Sequence, residues 1–496
     1  MEDAIVLYPC PGSGHLISMV ELGKLILKHH PSVSIIVLML NTQNMHSTSG
    51  AEYAASPTTQ YIASVKASTP SITFHQLPPI SDVPCTSSMV EFFYSFLHLN
   101  NPNLHQALQT ISQTAKLKAL VFDIFCDAAF DVAANLSIPT YYFYTSGASS
   151  LAVFLYWPAL LKKFDKSLKD LNDMLVDIPG LPSIPVSRLP ELMRDRDAKE
   201  FEYLLLTAAH LMKSSGLIVN TFEQLERKAI NAISDGLCAL DGPTPPIFCI
   251  GPLTSGSNQH GNDQHECLNW LDSQPRQSVV FLCFGSVGSF SEKQLKEMAI
   301  GLENSGKRFL WVVRNPPPGI DEEPNLDVLL PKGFLERTKD RGFVVKQWAP
   351  QVEVLRHDSV GGFVSHCGWN SVLEAVGGGV PMVAWPLYAE QPVNKEVLVN
   401  ELKLAVGVNV SEDGWVTAAE LEKRVSELMD SQAGKEVRER VSAMRDAGAT
   451  AVKEGGSSHL ALSMLAELWF GRTCQSPEHY DKREGSYSMS EVMLFT

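Results

Sequence analysis

The stretch from Trp348 to Gln391, WAPQVEVLRHDSVGGFVSHCGWNSVLEAVGGGVPMVAWPLYAEQ, most constrains how this chain can fold. Within it, GGFVS (Gly361 to Ser365) is a short apolar run of the buried-strand kind. The HCGWNSVLEAV that follows opens with small and polar residues and then takes up a helical period. The pattern predicts a strand, a tight turn through Gly368 and a helix N-terminus. The amides of Trp369, Asn370 and Ser371 would lack intrahelical partners there and carry the positive end of the helix dipole, a ready site for phosphate. His366, at the strand end, would point at the same place. Glu374 lies one helical turn after Asn370 on the same face, so its carboxylate could accept hydroxyls beside that phosphate. An acid for ribose next to a phosphate cradle suggests a nucleotide.

The rest of the chain repeats this alternation. AIVLYP (Ala4 to Pro9), SIIVLML, SITFHQLP, KALVFD, IPTYYFYT and GLIVNT read as strands separated by helical stretches such as PNLHQALQTISQTA, which means βαβ units and a parallel sheet. Asn41 to Pro70, rich in Ser, Thr and Ala, reads as a loop with short helices over the active face. After PPIFCIGPL the polar, aperiodic TSGSNQHGNDQHE reads as an interdomain linker. The pattern then restarts with SVVFLCFGS, RFLWVVR, GFVVKQW, GGFVSHC, PMVAWP and AVGVNV as a second parallel sheet, interrupted by a proline-rich acidic surface loop from Asn315 to Asp327.

The expected organisation is an α/β protein of two facing Rossmann-like, doubly wound domains. Residues 1–252 would form the first, 253–266 the linker, 267–455 the second, 456–470 a last helix and 471–496 a disordered tail. A length of 496 residues is too great for one core. The net charge of −15 argues against nucleic acid as a partner. Nine cysteines, odd in number and mostly inside apolar runs (Cys249, Cys283, Cys367), suit reduced core residues of a cytoplasmic protein and show no zinc spacing. MEDAIVLYP is unlike a signal peptide, and no apolar run approaches the roughly eighteen residues of a membrane span, so no stable membrane insertion is expected. The sequons at Asn135 and Asn409 would then stay unmodified.

Two such domains would form a cleft at the carboxyl ends of their strands. His15 follows the first strand's loop, and Asp123 ends the run KALVF, so both would reach the same sheet edge. An imidazole taking a proton from a hydroxyl while a carboxylate steadies the imidazolium is the logic of general-base catalysis. Asp127 and Asp131, inside the helical stretch CDAAFDVAANL, read as structural or exposed. CPGSGH lacks the GxGxxG spacing, which speaks against a nicotinamide oxidoreductase.

The forty-four residues from Trp348 to Gln391 resemble, almost position by position, the signature box of plant secondary-product glycosyltransferases, which use UDP-sugars. PGSGHL and LVFDIFCD resemble that family's segments with the catalytic His and its partner Asp. The resemblance implies a GT-B arrangement with the last helix packed back on the first domain. It also implies that Trp348 stacks on uracil and that Ala349 pairs with the base edge through its backbone. His366, Gly368, Asn370, Ser371 and Gln351 would serve the donor together with Glu374, which takes the ribose. Trp369, Glu390, Gln391 and Thr145 would contact the transferred sugar, and Ser286 the β-phosphate. Trp369 and Gln391 point to UDP-glucose rather than a glucuronate or galactose donor, while Glu390 stands where Asp is more usual.

The expected reaction is an inverting, metal-independent transfer of glucose from UDP-glucose to a hydroxyl of a small phenolic acceptor. Over the whole chain the resemblance is to flavonoid O-glucosyltransferases acting on chalcones, isoflavones or anthocyanidins. Phe125, Tyr144 and Phe92 could line an aromatic slot for a flat polyphenol. Alternatives are another small plant metabolite (a simple phenol, hormone or terpenoid) or a non-catalytic nucleotide-sugar binding protein. No cofactor or metal is expected, since fixed dipoles serve the phosphates, and the chain is expected to act as a monomer. Asp195-Arg196-Asp197 matches a metal-holding pattern of another glycosyltransferase class, but it lies in a charged stretch far from a strand end and reads as a solvated loop.

Overall fold

The computed structural model describes residues 1–41, 55–80, 89–171, 174–239, 242–254, 265–317, 322–411 and 413–471. The tail beyond 471, most of the expected linker and the first part of the stretch from Asn41 to Pro70 lie outside them. In chain order the strands are β1 (Glu2–Tyr8), β2 (Ser34–Met39), β3 (Ile72–Gln76), β4 (Ala115–Asp123), β5 (Thr140–Tyr144), β6 (Leu175–Val176), β7 (Ile184–Pro185), β8 (Gly216–Val219) and β9 (Ile247–Cys249). They continue as β10 (Val279–Cys283), β11 (Arg308–Val313), β12 (Gly342–Lys346), β13 (Val360–Ser365), β14 (Met382–Ala384) and β15 (Ala405–Gly407).

Seven strands form one sheet in the order β3-β2-β1-β4-β5-β8-β9, and six form another in the order β12-β11-β10-β13-β14-β15, every pairing in both being parallel. β6 and β7 make a separate antiparallel pair. Both faces of the first sheet are covered, which is why its central strands run through successive buried apolar residues, as in AIVLY of β1 and ALVF of β4, while the edge strand β3 is mostly exposed. Ala4, Val6 and Tyr8 of β1 join one core cluster and Ile5 and Leu7 another, as the two-residue period of a strand requires.

The helix Ser457–Phe470 returns to the first sheet, burying Leu462, Leu465 and Trp469 in the cluster that holds Ile5 and Leu7. Phe222 and Leu225, which follow β8 of the first sheet, are buried in the core of the second, and Val393 from the second half lies in the first core. One expectation needs correction. The described part of Asn41 to Pro70 is mostly one fourteen-residue helix, Ala55–Ser68, and it packs beside the sheet instead of forming short helices over the cleft. Its Tyr61 and Val65, one turn apart, are buried against the helix Ser13–His29 side, where the Tyr61 hydroxyl donates to Glu21 at 3.0 Å.

Candidate active site

β1 and β4 are neighbours in register, Tyr8 beside Phe122, so the residues after each emerge at one edge. Gly12, at φ 131°, takes a backbone conformation that other residues rarely adopt and lets the chain turn into the helix Ser13–His29, with His15 in its first turn. Asp123 is fully buried; its Oδ2 lies 2.7 Å from His15 Nδ1, and its Oδ1 accepts the Phe125 amide at 3.0 Å. A carboxylate facing Nδ1 places the ring proton there and leaves Nε2 as the accepting nitrogen. Burial alone would push the His15 imidazole down, but the Asp123 charge and hydrogen bond, with Glu390 beyond, outweigh it and hold the ring above its ordinary range. Thr145 Oγ1 is 3.4 Å from the same Nδ1, and the Phe125 ring meets the imidazole edge-on at 5.6 Å.

In the second sheet β10 and β13 are likewise neighbours, and the turns that follow them adjoin. His366 is buried with no hydrogen-bond partner on Nδ1, and burial lowers its pKa to about 4, so it stands as a neutral imidazole beside an open polar turn. Side chains on Gly285 (φ +75°) or Gly368 would sit 2.7 or 2.4 Å from His366 Nε2, so glycine is required at both. The helix Trp369–Gly378 starts at Gly368 with neither a side-chain cap nor an acidic residue in its first turn, leaving its first amides for a ligand. Cys367, in the left-handed region at φ 64°, makes the turn between strand and helix, and Asn394 Nδ2 donates to its carbonyl at 3.0 Å.

Gln351 Nε2 bridges Ser371 Oγ at 2.9 Å and Glu374 Oε2 at 2.6 Å. Burial raises the Glu374 carboxyl to about 7 against the pull of Gln351. Trp348, after β12, leaves 43 % of its surface exposed next to buried Ala349, its ring edge-on to His265 at 5.9 Å. Ser286 is exposed on the loop after β10, its carbonyl accepting from the Arg314 guanidinium.

The two halves meet over this site. Ser18 Oγ donates to Asn370 Oδ1 at 3.4 Å, Asn370 Nδ2 to the Gly14 carbonyl at 3.5 Å, and Ser146 Oγ to Glu390 Oε1 at 3.2 Å. His15 and Asp123 are thereby brought to the start of the helix Trp369–Gly378. The Trp369 indole is buried and donates to the Asn220 carbonyl at 2.7 Å, so its ring serves as a bolt between the halves while its backbone amide stays at the open start of the helix. Of the expected aromatic slot, Phe92, stacked on Phe96, and Tyr144, 2.5 Å from Ser150 Oγ, are buried, and Phe125 is 40 % exposed. Gln391 is buried, its Oε1 accepting the Leu387 and Tyr388 amides at 2.9 and 3.1 Å.

Asp127 accepts from Tyr142 at 2.5 Å and faces His210 at 3.1 Å in the core, away from His15, while Asp131 is exposed. Asp195 and Asp197 pair with Lys169 on the surface. Glu226 has no counterpart in the sequence reading: buried, it accepts the Ala148 and Ser149 amides at 2.7 and 2.8 Å and so anchors the segment carrying Thr145 and Ser146. An acid in NTFEQLE just past a strand end was the available signal.

Residues 232–447 match the model of the family described as UDP-glucoronosyl and UDP-glucosyl transferase. The chain is 56 % identical to an anthocyanidin 5,3-O-glucosyltransferase from a Rosa hybrid cultivar, over 94 % of this chain and 99 % of that one. It is 49 % identical to isoflavone 7-O-glucosyltransferase 1 of Glycine max, over 95 % and 99 %. Among solved structures it superposes on UGT2 of Phytolacca americana, complexed with UDP-2fluoro-glucose and pterostilbene, with a TM-score of 0.83, 35 % identity and coverage of 94 % of this chain and 99 % of that one. Two parallel sheets facing across an uncapped helix N-terminus, and likeness along nearly the whole chain, lead to one conclusion: this chain belongs to the UDP-glycosyltransferase family.

Proposed function

We propose that this enzyme transfers glucose from UDP-glucose to a hydroxyl of a small phenolic acceptor, a flavonoid such as a chalcone, isoflavone or anthocyanidin, with inversion and without a metal. The observation that carries the reading is the 2.7 Å contact between His15 and buried Asp123, set against Asn370 at the start of the uncapped helix. The acceptor hydroxyl gives its proton to His15 Nε2 as its oxygen attacks the anomeric carbon, Asp123 steadies the imidazolium, and UDP departs from the opposite face. His366, Ser286 and the amides from Trp369 to Ser371 face the leaving phosphates, so fixed dipoles meet the charge that develops. Trp348 and Ala349 supply a platform for uracil, Glu374 and Gln351 take the ribose, and Glu390, Gln391 and Thr145 surround the sugar.

The names of the Rosa and Glycine relatives support the acceptor class and glucose as the transferred sugar. Residues 1–252 act as the acceptor half and 267–455 as the donor half, joined through 253–266. We read the chain as a cytoplasmic monomer; among the described residues no helix is long and apolar enough to cross a membrane. The test is a UDP-release screen of UDP-glucose, UDP-galactose and UDP-glucuronate against a polyphenol panel in excess chelator. UDP-glucose with a flavonoid should give a β-glucoside at a rate the chelator does not change. Preference for another sugar, or a rate abolished by the chelator, would overturn the proposal.

A further inference from the structure

We propose that Cys10, His15 and Asp123 form a binding site for a soft divalent cation of the zinc or cadmium class, and that filling it arrests glycosyl transfer. One ligand atom from each residue, a sulfur, an imidazole nitrogen and a carboxylate oxygen, lie within 4.8 Å of one another. This mixed set is what such cations select over magnesium or calcium, which prefer oxygen alone. Two of the ligands stand on regular elements, Asp123 at the end of β4 and His15 in the first turn of the helix Ser13–His29, and Cys10 lies two residues past neighbouring β1. Cys10 and Asp123 are buried while the His15 side chain keeps 29 % of its surface exposed, so the open fourth position and the entry path both lie on the cleft side. Ligand atoms around tetrahedral zinc stand about 3.5 Å apart, so closure brings the Cys10 sulfur inward by about 1 Å through rotation of its side chain, and a cation held through His15 Nδ1 also parts that nitrogen from Asp123 Oδ2, now 2.7 Å away.

Burial, then the nearby Asp123 and Cys126, hold the Cys10 thiol well above its ordinary range, so it is neutral until a cation arrives. On binding, the thiol proton passes to solvent and the thiolate, neutral imidazole and carboxylate share the dication's charge. The consequence for transfer rests on the reading of His15 as the base. A cation on Nδ1 forces the ring proton onto Nε2, which can then only donate. A cation on Nε2 occupies the accepting nitrogen itself. Either way the acceptor hydroxyl keeps its proton.

The experiment uses the full chain with Co²⁺ as a spectroscopic probe and Zn²⁺ as an inhibitor. Co²⁺ should raise a thiolate-to-metal charge-transfer band in the near ultraviolet that Cys10→Ser and Cys10→Ala both lose. Zn²⁺ should inhibit UDP release, reversibly with chelator. Cys10→Ser, with an unliganded rate within about twofold of wild type, should need at least about tenfold more Zn²⁺ for the same inhibition. A band or a Zn²⁺ sensitivity that survives in both Cys10 variants overturns the site. A band that depends on Cys10 while transfer continues with the metal bound overturns the arrest, and with it His15 as the base, and leaves the coordination standing.

Discussion

Both oxygens of Asp123 are committed, one to the His15 ring and one to the Phe125 amide, so the buried carboxylate cannot turn away without losing a partner. Its charge is what lifts the imidazole against the downward pull of burial. The ring accepts a proton only above its own pKa, so the acidic limb of kcat/KM should lie above the ordinary histidine range. Asp123→Asn removes the lifting charge and lets burial prevail. The limb should then move to lower pH while the maximal rate falls by about 10²- to 10⁴-fold, both read from a pH profile of UDP release. A limb that stays in place would separate Asp123 from the titrating base. This pair was legible because each member ends an apolar run, and parallel strands deliver their ends to one edge. The seat of the Trp369 indole was not, because its position in the box says nothing of the Asn220 carbonyl that it meets from a distant part of the chain.

At the scale of elements, apolar runs sufficed to place every strand of the second sheet and all of the first but its edge strand β9, whose three residues are too short a run, since strands buried on both faces are mostly apolar. The helix Ala55–Ser68 escaped that reading because only Tyr61 and Val65 on its described face enter the core, too narrow a stripe amid Ser, Thr and Ala. The contact between Glu226 and the start of the helix Ala148–Lys162 escaped it for a different reason: an acid past a strand end is visible in NTFEQLE, but no local pattern says which distant helix it caps. Burial pushes the Glu226 carboxyl above its usual range, while the Thr221 hydroxyl and the amides of Ser149 and Ala148 oppose the shift. Glu226→Gln keeps the shape but can turn only one acceptor oxygen toward two amide donors, which should cost about 1–3 kcal/mol. Because Thr145 and Ser146 hang from this anchor, the loss should fall on kcat/KM for the donor as well as on thermal stability. Glu226→Gln at wild-type kcat/KM, with stability alone reduced, would confine the residue to the scaffold.

Across the whole molecule the halves are joined by packing as much as by covalent chain. The Asn220 side chain bonds Leu253 in both directions, at 2.8 and 3.2 Å, its carbonyl takes the Trp369 indole, and Ser458 from the last helix donates to the Gly251 carbonyl at 2.5 Å. Gly147 lies where these contacts meet: a Cβ there would stand 2.7 Å from both the Trp369 ring and Glu226 Oε1. Neither neighbour is the loose end of a flexible side chain, since the indole is pinned by Asn220 and the carboxylate by two amides. Gly147→Ala should therefore force the halves apart at this seam instead of being absorbed locally, at a cost of about 1–3 kcal/mol. Thermal unfolding of the single variant should show the loss. Trp369→Phe removes the atoms that collide and also the indole N–H, so by itself it should destabilise as well. Combined with Gly147→Ala it should recover part of the overpacking cost, giving a double-mutant coupling of at least about 0.5 kcal/mol in favour of the pair. Purely additive losses would mean that the seam has room to yield, and that closure of the cleft is set at the Asn370–Gly14 and Ser146–Glu390 contacts instead.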